Sequence, residues 1–418
     1  MNTNVSTKRR VVITGIGTLN PLGNDVTTTW HNIAAGNSGI GSITLFDATE
    51  YKAQIAGEVK GFDPTTLFGR KEARRLSRMS QFGLAAANQA LDDAQIDISD
   101  SNRDRIGVVI GSGMGSLDPI VDNVNILNER GPNRLSPFFV PMMLADTPAA
   151  AVSIAHGLTG PNMSVATACA TGNNAIGEAA AIITRGAADV MVAGGAEACI
   201  LPVAIAGFAI MNALSTLNDS PQQAARPFDL DRSGFVTAEG AAILILEAYE
   251  YAQARGATIY GELLGYGTSA DAYHISQPKE DGSGAARAMQ AALDDADLQP
   301  EAIEYINAHG TGTQLNDKAE TAAIKTVFGE HAYNIPISST KSMHGHLLGA
   351  VGALEAIIGL QSMAHNLLPP TINLDTADPD CDLDYVPNTA RKATINTVMS
   401  NGFGLGGHNA TIILSKLT

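Results

Sequence analysis

The chain has 418 residues, of which 45% are hydrophobic, and its 26 basic and 42 acidic side chains give a formal net charge of −16. This length is sufficient for two domains, or for one large fold built from two similar halves. The negative charge argues against general nucleic-acid binding, because neutralising phosphates requires a basic surface. The 3 cysteines show no zinc or redox spacing, which favours a protein of the reducing cytoplasm.

Strand-like and helix-like segments alternate along the chain in an order that occurs twice. In the first half, strands are predicted at 10–17, 105–113, 189–195 and 241–249, with helices at 74–93 and 175–185. In the second half, strands are predicted at 259–267, 303–313, 335–346 and 397–414, with helices at 284–295 and after residue 346. This alternation indicates an α/β fold whose sheet is covered on both sides. We expect two halves, residues 1–258 and 259–418.

The uncharged segment 198–218 is long enough to cross a bilayer. Pro202, Gly207 and Asn212 interrupt it, and no basic cluster flanks it. A buried or interface segment is therefore the favoured interpretation, and no membrane association is predicted.

Cys169 lies where the extended run of segment 163–186 turns into an Ala-rich helix, and segment 337–360 has the same layout. We expect the two helices to point their N-termini at a common centre. Unpaired N–H groups at a helix start lower the pKa of a thiol and stabilise an oxyanion. The local sequence leaves two interpretations equally open: a nucleophile, or a small buried hydrophobic residue.

Two histidines occupy similar positions, His309 after a strand-like run and His346 before the helix of the second segment. An imidazole there can donate a hydrogen bond to an oxyanion or exchange a proton, although a single histidine more often has a structural role. We prefer His346 to His344, which should point elsewhere. Lys341 and Glu355 form a possible buried ion pair beside the site, or a solvated one.

Two further features concern loops and surfaces. The glycine-rich segment 401–409, with Phe403 inside, predicts a mobile loop that brings backbone N–H groups near a ligand. Lys71, Arg74, Arg75 and Arg78 have the spacing of one helical stripe. On so acidic a chain this stripe favours a docking patch for an acidic partner, while an ordinary solvated face explains it equally well.

Four motifs, ATACATG, NAHGTGT, KSMHGHLLGA and NGFGLGGHN, resemble in order and spacing those of the type II β-ketoacyl-acyl carrier protein synthases. The likeness covers nearly the whole chain. The resemblance implies a thiolase-like fold of five layers, αβαβα, with two pseudo-duplicated halves, and a homodimer. It also implies the elongation step of fatty-acid biosynthesis, a decarboxylative Claisen condensation.

The resemblance also implies roles for the motif residues. Cys169 would accept the acyl chain as a thioester, and His309 and His346 would bind the malonyl thioester carbonyl. The amides of Cys169 and Phe403 would form the oxyanion hole for acyl transfer. Lys341, paired with Glu355, would maintain the charge and the hydrogen bonding of the site.

No metal or redox cofactor is implied, since the phosphopantetheine arm belongs to the acyl carrier protein. Thr311 and Thr313 match positions that hydrogen-bond this arm, and the basic stripe, Lys71 to Arg78, matches positions that dock the carrier. Segment 198–218 would line the acyl pocket and the dimer interface. Met114 and Phe208 are candidates for contact with the acyl chain.

Three positions depart from the common family pattern: Leu405 replaces a phenylalanine, Gly402 a serine and Asn212 an arginine. The first two put gating at Phe403 in doubt, and the third puts carrier docking in doubt. A ketosynthase of a dissociated polyketide pathway is the nearest alternative. A non-catalytic partner that sets chain length usually lacks the nucleophile, so Cys169 argues against it.

Overall fold

The computed structural model describes residues 8–417 as a large sheet with helices packed on both faces. The helices are α1 Val26–Ala35, α2 Pro64–Ala73, α3 Arg78–Ala94, α4 Asp118–Arg130, α5 Phe139–Met143, α6 Thr147–His156, α7 Thr171–Thr184, α8 Pro202–Ile210, α9 Tyr249–Ala254, α10 Ser283–Ala296, α11 Gln314–Phe328, α12 Lys341–His344 and α13 Val351–His365. The strands are β1 Val11–Leu19, β2 Gly41–Ser42, β3 Ile55–Ala56, β4 Ile106–Gly111, β5 Asn162–Met163, β6 Val190–Glu197, β7 Gly240–Ala248, β8 Gly261–Ala270, β9 Tyr305–Asn307, β10 Ile337–Ser338, β11 Leu367–Leu368, β12 Arg391–Lys392, β13 Thr397–Gly404 and β14 His408–Ser415.

Ten strands form one sheet in the order β10-β9-β13-β14-β8-β1-β7-β6-β4-β5. Each half contributes five neighbouring strands. When the five strands of each half are numbered in chain order, both halves have the same arrangement. From the sheet edge to its centre it is third, second, fourth, fifth and first. Antiparallel pairing of Val11–Ile13 with residues 261–263 joins β1 to β8 and so joins the halves. The expected α/β fold with two duplicated halves is confirmed.

Helices α7 and α13 lie between the two halves of the sheet and pack against strands of both. Helices α3 and α6 cover the outer face of the first half, and α10 and α11 lie on the outer side of the second. Strand β7 illustrates why: Ile243 and Ile245 pack under the outer helices, whereas Leu244 and Leu246 point to the middle layer. Such a strand is apolar on both faces because both faces are covered.

The two middle helices approach most closely near their first turns. A Cβ atom on Gly172 would lie 2.6 Å from the backbone nitrogen of Ala353, so only glycine permits this contact. Single 3-10 turns, Ala168–Ala170 and Leu348–Ala350, precede α7 and α13. Both turns therefore meet at the centre of the molecule, as expected for helices that share a common site.

The helix predicted at 74–93 is wrong at its start. Helix α2 ends at Ala73, and the hydroxyl of Ser77 accepts the N–H of Ser80 to cap a separate helix, α3. The break changes the helical phase, so the basic residues do not form a single stripe. Lys71 and Arg74 are exposed, whereas the guanidinium of Arg78 turns inward to the buried carboxylate of Glu239, at 2.6 and 2.8 Å.

The glycine-rich segment 401–409 also differs from the expected loop. Most of it belongs to the β13–β14 hairpin, with Leu405, Gly406 and Gly407 forming the turn. In segment 198–218, α8 spans nine residues. Within residues 8–417, none of the helices combines the length and apolar character needed to cross a membrane.

Candidate active site

A cavity of about 650 Å³ lies between the two halves, with the sulfur of Cys169 in its wall. Its lining includes most of the predicted site residues: Met114, Cys169 and Phe208 from the first half, and His309, Thr311, Thr313, His346 and Phe403 from the second. The structure therefore brings together side chains that lie up to 289 positions apart in the sequence, from Met114 to Phe403. Lys341 and Glu355 lie behind this wall.

Cys169 sits in a tight turn that aims its side chain into the cavity. The preceding residue, Ala168, has φ of 49°, a left-handed conformation that is uncommon for alanine. Two backbone N–H groups, those of Cys169 itself and of Leu405, act to lower the pKa of the thiol. The expected second amide, that of Phe403, belongs to a residue that pairs with Asn409 in the hairpin, whereas Leu405 is the first residue beyond β13. The role of the Phe403 amide stays a prediction.

Burial raises the pKa of Cys169 to about 12, while the charge of Lys341 and the two N–H groups act in the opposite direction. The expected lowering of this pKa by the helix start is therefore not what the structure gives. Removal of the thiol from water outweighs the nearby positive charge. The resting enzyme holds a thiol, which ionises only with help.

The imidazole of His346 supplies that help. Its Nε2 lies 3.0 Å from the sulfur of Cys169, and its Nδ1 accepts the N–H of Leu348 at 3.3 Å. A ring whose Nδ1 is an acceptor carries its proton on Nε2. Burial, assisted by the charge of Lys341, lowers the pKa of His346 well below its ordinary value. His346 is therefore a neutral hydrogen-bond donor facing the sulfur.

His309 lies beside His346, with the ring centroids 5.5 Å apart, and packs edge-on against the ring of Phe403. Burial and then Lys341 lower its pKa well below the ordinary value. The buried carboxylate of Glu320 accepts the backbone N–H groups of His309 and Gly310, at 2.8 and 2.7 Å. These bonds fix the loop that carries the second imidazole.

Lys341 and Glu355 form an ion pair at 2.5 Å that is almost fully buried, with 2% and 0% of the side chains exposed. Burial raises the pKa of Glu355 to about 7, against the opposing charge of Lys341. His344 lies outside the cavity lining and contacts the Gly345 carbonyl and the Thr340 hydroxyl. The preferred histidine, His346, is thus the one that reaches the cavity.

Two parts of the cavity have distinct chemistry. The hydroxyls of Thr311 and Thr313 lie 3.0 Å apart on one wall. Phe208 packs edge-on against Phe235, with ring centroids 5.5 Å apart, and Met114 joins the same apolar cluster. The cavity therefore offers a polar wall for hydrogen bonding and an apolar end for a hydrocarbon chain.

The sulfur of Cys169 and one ring nitrogen from each of His309 and His346 all lie within 4.8 Å of one another. One sulfur and two imidazole nitrogens form a donor set that suits a thiophilic ion such as zinc. The nearby charge of Lys341 opposes a cation at this place. The same three groups are also the constellation that acyl transfer requires, a nucleophile with fixed donors around it.

Several residues of the site were not predicted. The sequence marks Leu405 only as a departure from the family pattern, whereas its amide acts on the pKa of Cys169 and the residue lines the cavity. Glu197 and Glu320 accept backbone N–H groups, and the backbone N–H of Leu348 donates to His346. Such contacts leave no pattern in a single sequence. Outside the cavity, the buried Arg232 lies between Asp317 and Asp378, which the sequence does not predict. Its place in an acidic cluster depends on the fold.

The structure also shows where the other two departures from the family pattern, Gly402 and Asn212, lie. A Cβ on Gly402 would lie 3.2 Å from the side-chain nitrogen of Asn173, so the glycine fits closely beside α7. Asn212 follows α8 at the mouth of the cavity with φ of 53°, a conformation that asparagine tolerates well. Neither change removes a group that faces the sulfur.

Fold and site together define a condensing enzyme with a duplicated thiolase-like architecture. Family models named "Beta-ketoacyl synthase, N-terminal domain" and "Beta-ketoacyl synthase, C-terminal domain" match residues 8–252 and 260–375. The chain belongs to the β-ketoacyl synthase family, and its activity is the acyl-transferring condensation of fatty-acid elongation.

The chain is similar to a Synechocystis protein named 3-oxoacyl-acyl-carrier-protein synthase 2, with 50% identity over 98% of each chain. It resembles the crystal structure of a β-ketoacyl synthase from Burkholderia phymatum, with 40% identity, a TM-score of 0.90 and coverage of 98% and 100%. It also resembles a type II polyketide ketosynthase solved with its acyl-carrier protein, with 36% identity, a TM-score of 0.91 and coverage of 99% and 100%.

Proposed function

We propose that this protein lengthens an acyl chain held on Cys169, using a malonyl group delivered by acyl carrier protein. The observation that carries the proposal is the placement of the Cys169 sulfur 3.0 Å from the Nε2 of His346, with His309 beside it, in one cavity. A nucleophile and two neutral imidazole donors on one reacting centre fit decarboxylative condensation.

In the first half-reaction, the sulfur of Cys169 attacks the thioester carbonyl of the acyl carrier. The oxygen of the tetrahedral intermediate takes its hydrogen bonds from the N–H groups of Cys169 and Leu405. The C–S bond to the carrier then breaks, and the thiol proton of Cys169 passes to the departing phosphopantetheine sulfur. His346, a donor at Nε2, stabilises the negative charge that develops on the Cys169 sulfur during this exchange and does not itself take the proton.

In the second half-reaction, the malonyl thioester carbonyl accepts hydrogen bonds from His309 and His346. Its terminal C–C bond breaks, carbon dioxide leaves, and the electron pair forms an enolate whose oxygen the two imidazoles stabilise. The enolate carbon attacks the acyl carbonyl on Cys169 and expels the sulfur. The imidazoles are suited to this step because burial keeps both neutral. The chemistry needs no metal or redox cofactor.

Thr311 and Thr313 are proposed to hydrogen-bond the phosphopantetheine arm along the polar wall. Met114 and Phe208 are proposed to contact the acyl chain in the apolar part of the cavity. Lys341, paired with Glu355, keeps a positive charge near the sulfur and opposes protonation of the two histidines.

For carrier docking we propose Lys71, Arg74 and Arg75, without Arg78. The first two are exposed, and Arg75 is partly exposed while bonded to Glu72 at 2.9 Å. Acyl carrier protein brings the acidic surface that such a patch would bind. Arg78 is left out because its guanidinium is already paired with the buried carboxylate of Glu239.

We further propose a homodimer in the cytoplasm. The edge strand β5 is exposed at Asn162 and Met163, and Ile154 on the neighbouring helix α6 is 83% exposed. An open strand edge beside an apolar side chain suits pairing with a second copy. A reducing cytoplasm keeps Cys169 as the free thiol that the reaction needs.

The deciding experiment is incubation of the protein with acyl carrier proteins of different chain lengths, followed by mass spectrometry and then addition of malonyl carrier. We expect acylation at Cys169, and a product two carbons longer with loss of carbon dioxide. Cys169→Ala should remove both signals. Acylation elsewhere, or elongation by C169A, would refute the assignment. Preference for a poly-β-keto chain would instead indicate a polyketide ketosynthase, in agreement with the 36% identical relative.

A further inference from the structure

The carboxylate of Glu197 lies at the end of β6, fully buried, where two loops from different halves meet. One oxygen accepts the hydroxyl of Ser112 at 2.8 Å. The other accepts the backbone N–H of Gly113 at 2.8 Å and that of Gly349 at 2.9 Å. A single side chain therefore holds the loop after β4 to the turn before α13.

That turn occupies the position in the second half that the Cys169 turn occupies in the first. Ala168 and Leu348 both have left-handed φ, 49° and 46°, and both start the 3-10 turn that leads into a middle helix. Gly349 thus corresponds to Cys169. The N–H of Cys169 faces a reacting sulfur, whereas the N–H of Gly349 is occupied by the Glu197 carboxylate.

The turn requires such support because leucine rarely adopts a left-handed conformation. A strained residue persists only where its surroundings determine it fully. A Cβ on Gly349 would lie 2.2 Å from the nitrogen of Gly113, so the two loops are in direct contact. The hydrogen bonds that Glu197 accepts from Gly113 and Gly349 hold the two loops in this contact from the side of β6.

Glu197 holds Gly349, and the neighbouring residue, Leu348, contacts a reacting group directly. The N–H of Leu348, next to Gly349, is the donor to Nδ1 of His346 and thereby places the ring proton on Nε2. On the other side, Met114 follows Gly113 and lines the cavity. A shift of the two loops would therefore change the histidine tautomer and the cavity wall together.

We propose that Glu197 is a positioning residue of the condensing site: by holding Gly113 and Gly349 together, its carboxylate fixes the amide that sets the tautomer of His346. The inference rests on the proposed function of His346 as a donor at Nε2. Burial raises the pKa of Glu197 to about 7, so a neutral side chain of the same shape is expected to serve as well. Hydrogen-bond acceptance matters here more than charge.

Two variants separate these effects. Glu197→Gln can place its amide oxygen on both glycine N–H groups and turn its NH2 to the Ser112 hydroxyl, so we expect near wild-type condensation. Glu197→Ala removes all three bonds, and we expect kcat to fall by roughly ten- to a hundredfold, the scale of a small misplacement. The KM for malonyl carrier should change little, because the carrier does not contact Glu197. Ser112→Ala keeps both glycine contacts and removes the hydroxyl bonds with Glu197 and with the Gly115 N–H, so we expect a smaller loss of kcat than in E197A.

A second measurement does not depend on turnover. Nitrogen-15 NMR of labelled histidine should show Nε2–H for His346 in the wild type and in E197Q, and a mixture of tautomers in E197A. An unchanged tautomer in folded E197A, unchanged kcat in E197A, or equal loss in E197Q and E197A would each overturn the proposal. If E197A does not fold, Glu197→Asp, which withdraws the carboxylate by one methylene, replaces it, and unchanged kcat in E197D would likewise overturn it. A wild-type protein that fails to condense would instead defeat the proposed function.

Discussion

The Nε2 of His346 lies 3.0 Å from the sulfur of Cys169, while its Nδ1 is occupied by the N–H of Leu348. The ring proton therefore points at the sulfur. This arrangement distinguishes a donor from a base: His346 can stabilise a thiolate or an enolate oxygen, but its proton-accepting nitrogen faces the wrong way to remove the thiol proton.

The first prediction concerns His309. Replacement by alanine removes one of two donors to the enolate, so condensation should fall by about 10²- to 10³-fold. Acylation of Cys169 should persist, because its oxyanion is held by backbone N–H groups. Mass spectrometry of the acyl-enzyme and product assays measure the two steps separately. His31→Ala, an exposed histidine on α1, is the control. Equal loss of both steps would contradict separate roles for the imidazoles and the amides.

The second prediction concerns pH. Because the pKa of Cys169 is raised to about 12, the thiolate fraction should rise tenfold per pH unit throughout the range from 7 to 10. Alkylation by iodoacetamide should follow the same slope, with peptide mapping to identify Cys169 as the site. A rate that levels off near pH 9, the ordinary range of a thiol, would show that burial does not control this residue.

The third prediction concerns carrier docking. Lys71→Glu and Arg74→Glu should each raise the KM for acyl carrier protein and leave the KM for small acyl thioesters unchanged, because only the carrier reaches the surface patch. Lys392→Glu makes the same change of charge at an exposed position on β12 and should affect neither. Equal loss with both substrate types would indicate damage to the fold.

The fourth prediction concerns Arg232, whose side chain is 1% exposed between Asp317 at 3.4 Å and Asp378 at 2.5 Å. Arg232→Met leaves buried carboxylates without their cation, so the free energy of unfolding should fall by about 3–5 kcal/mol. The exposed pair of Lys318 with Asp380 is the control, and Lys318→Met should leave the free energy of unfolding nearly unchanged, because solvent screens a surface pair. Urea denaturation measures both; similar values would show that burial of the pair is unimportant.

Much of the fold was predictable because the apolar runs of the strands are local patterns. The run at 241–249 alternates Ile and Leu with no polar face, which indicates burial on both sides. The break before Arg78 was missed because the basic spacing continues through it, and only the cap at Ser77 marks a new helix. Capping by serine is a weak signal beside a strong periodic one.

The site was predictable only in part. Cys169, His309 and His346 follow from motifs that the resemblance identifies, but the amide of Leu405 does not, because its direction depends on where β13 ends. The pKa of Cys169 was misjudged for a related reason. The helix start and Lys341 are visible as local features, whereas the depth of burial results from the packing of both halves around α7 and α13.

The matching strand order of the halves has a consequence for how the chain could be divided. A cut near Gly256, between α9 and β8, would leave each fragment with a complete set of five strands. One fragment would keep the nucleophile and the other both imidazoles, so neither could condense alone. Such fragments would be active only after they reassociate. The contact between α7 and α13 is the surface along which they would do so.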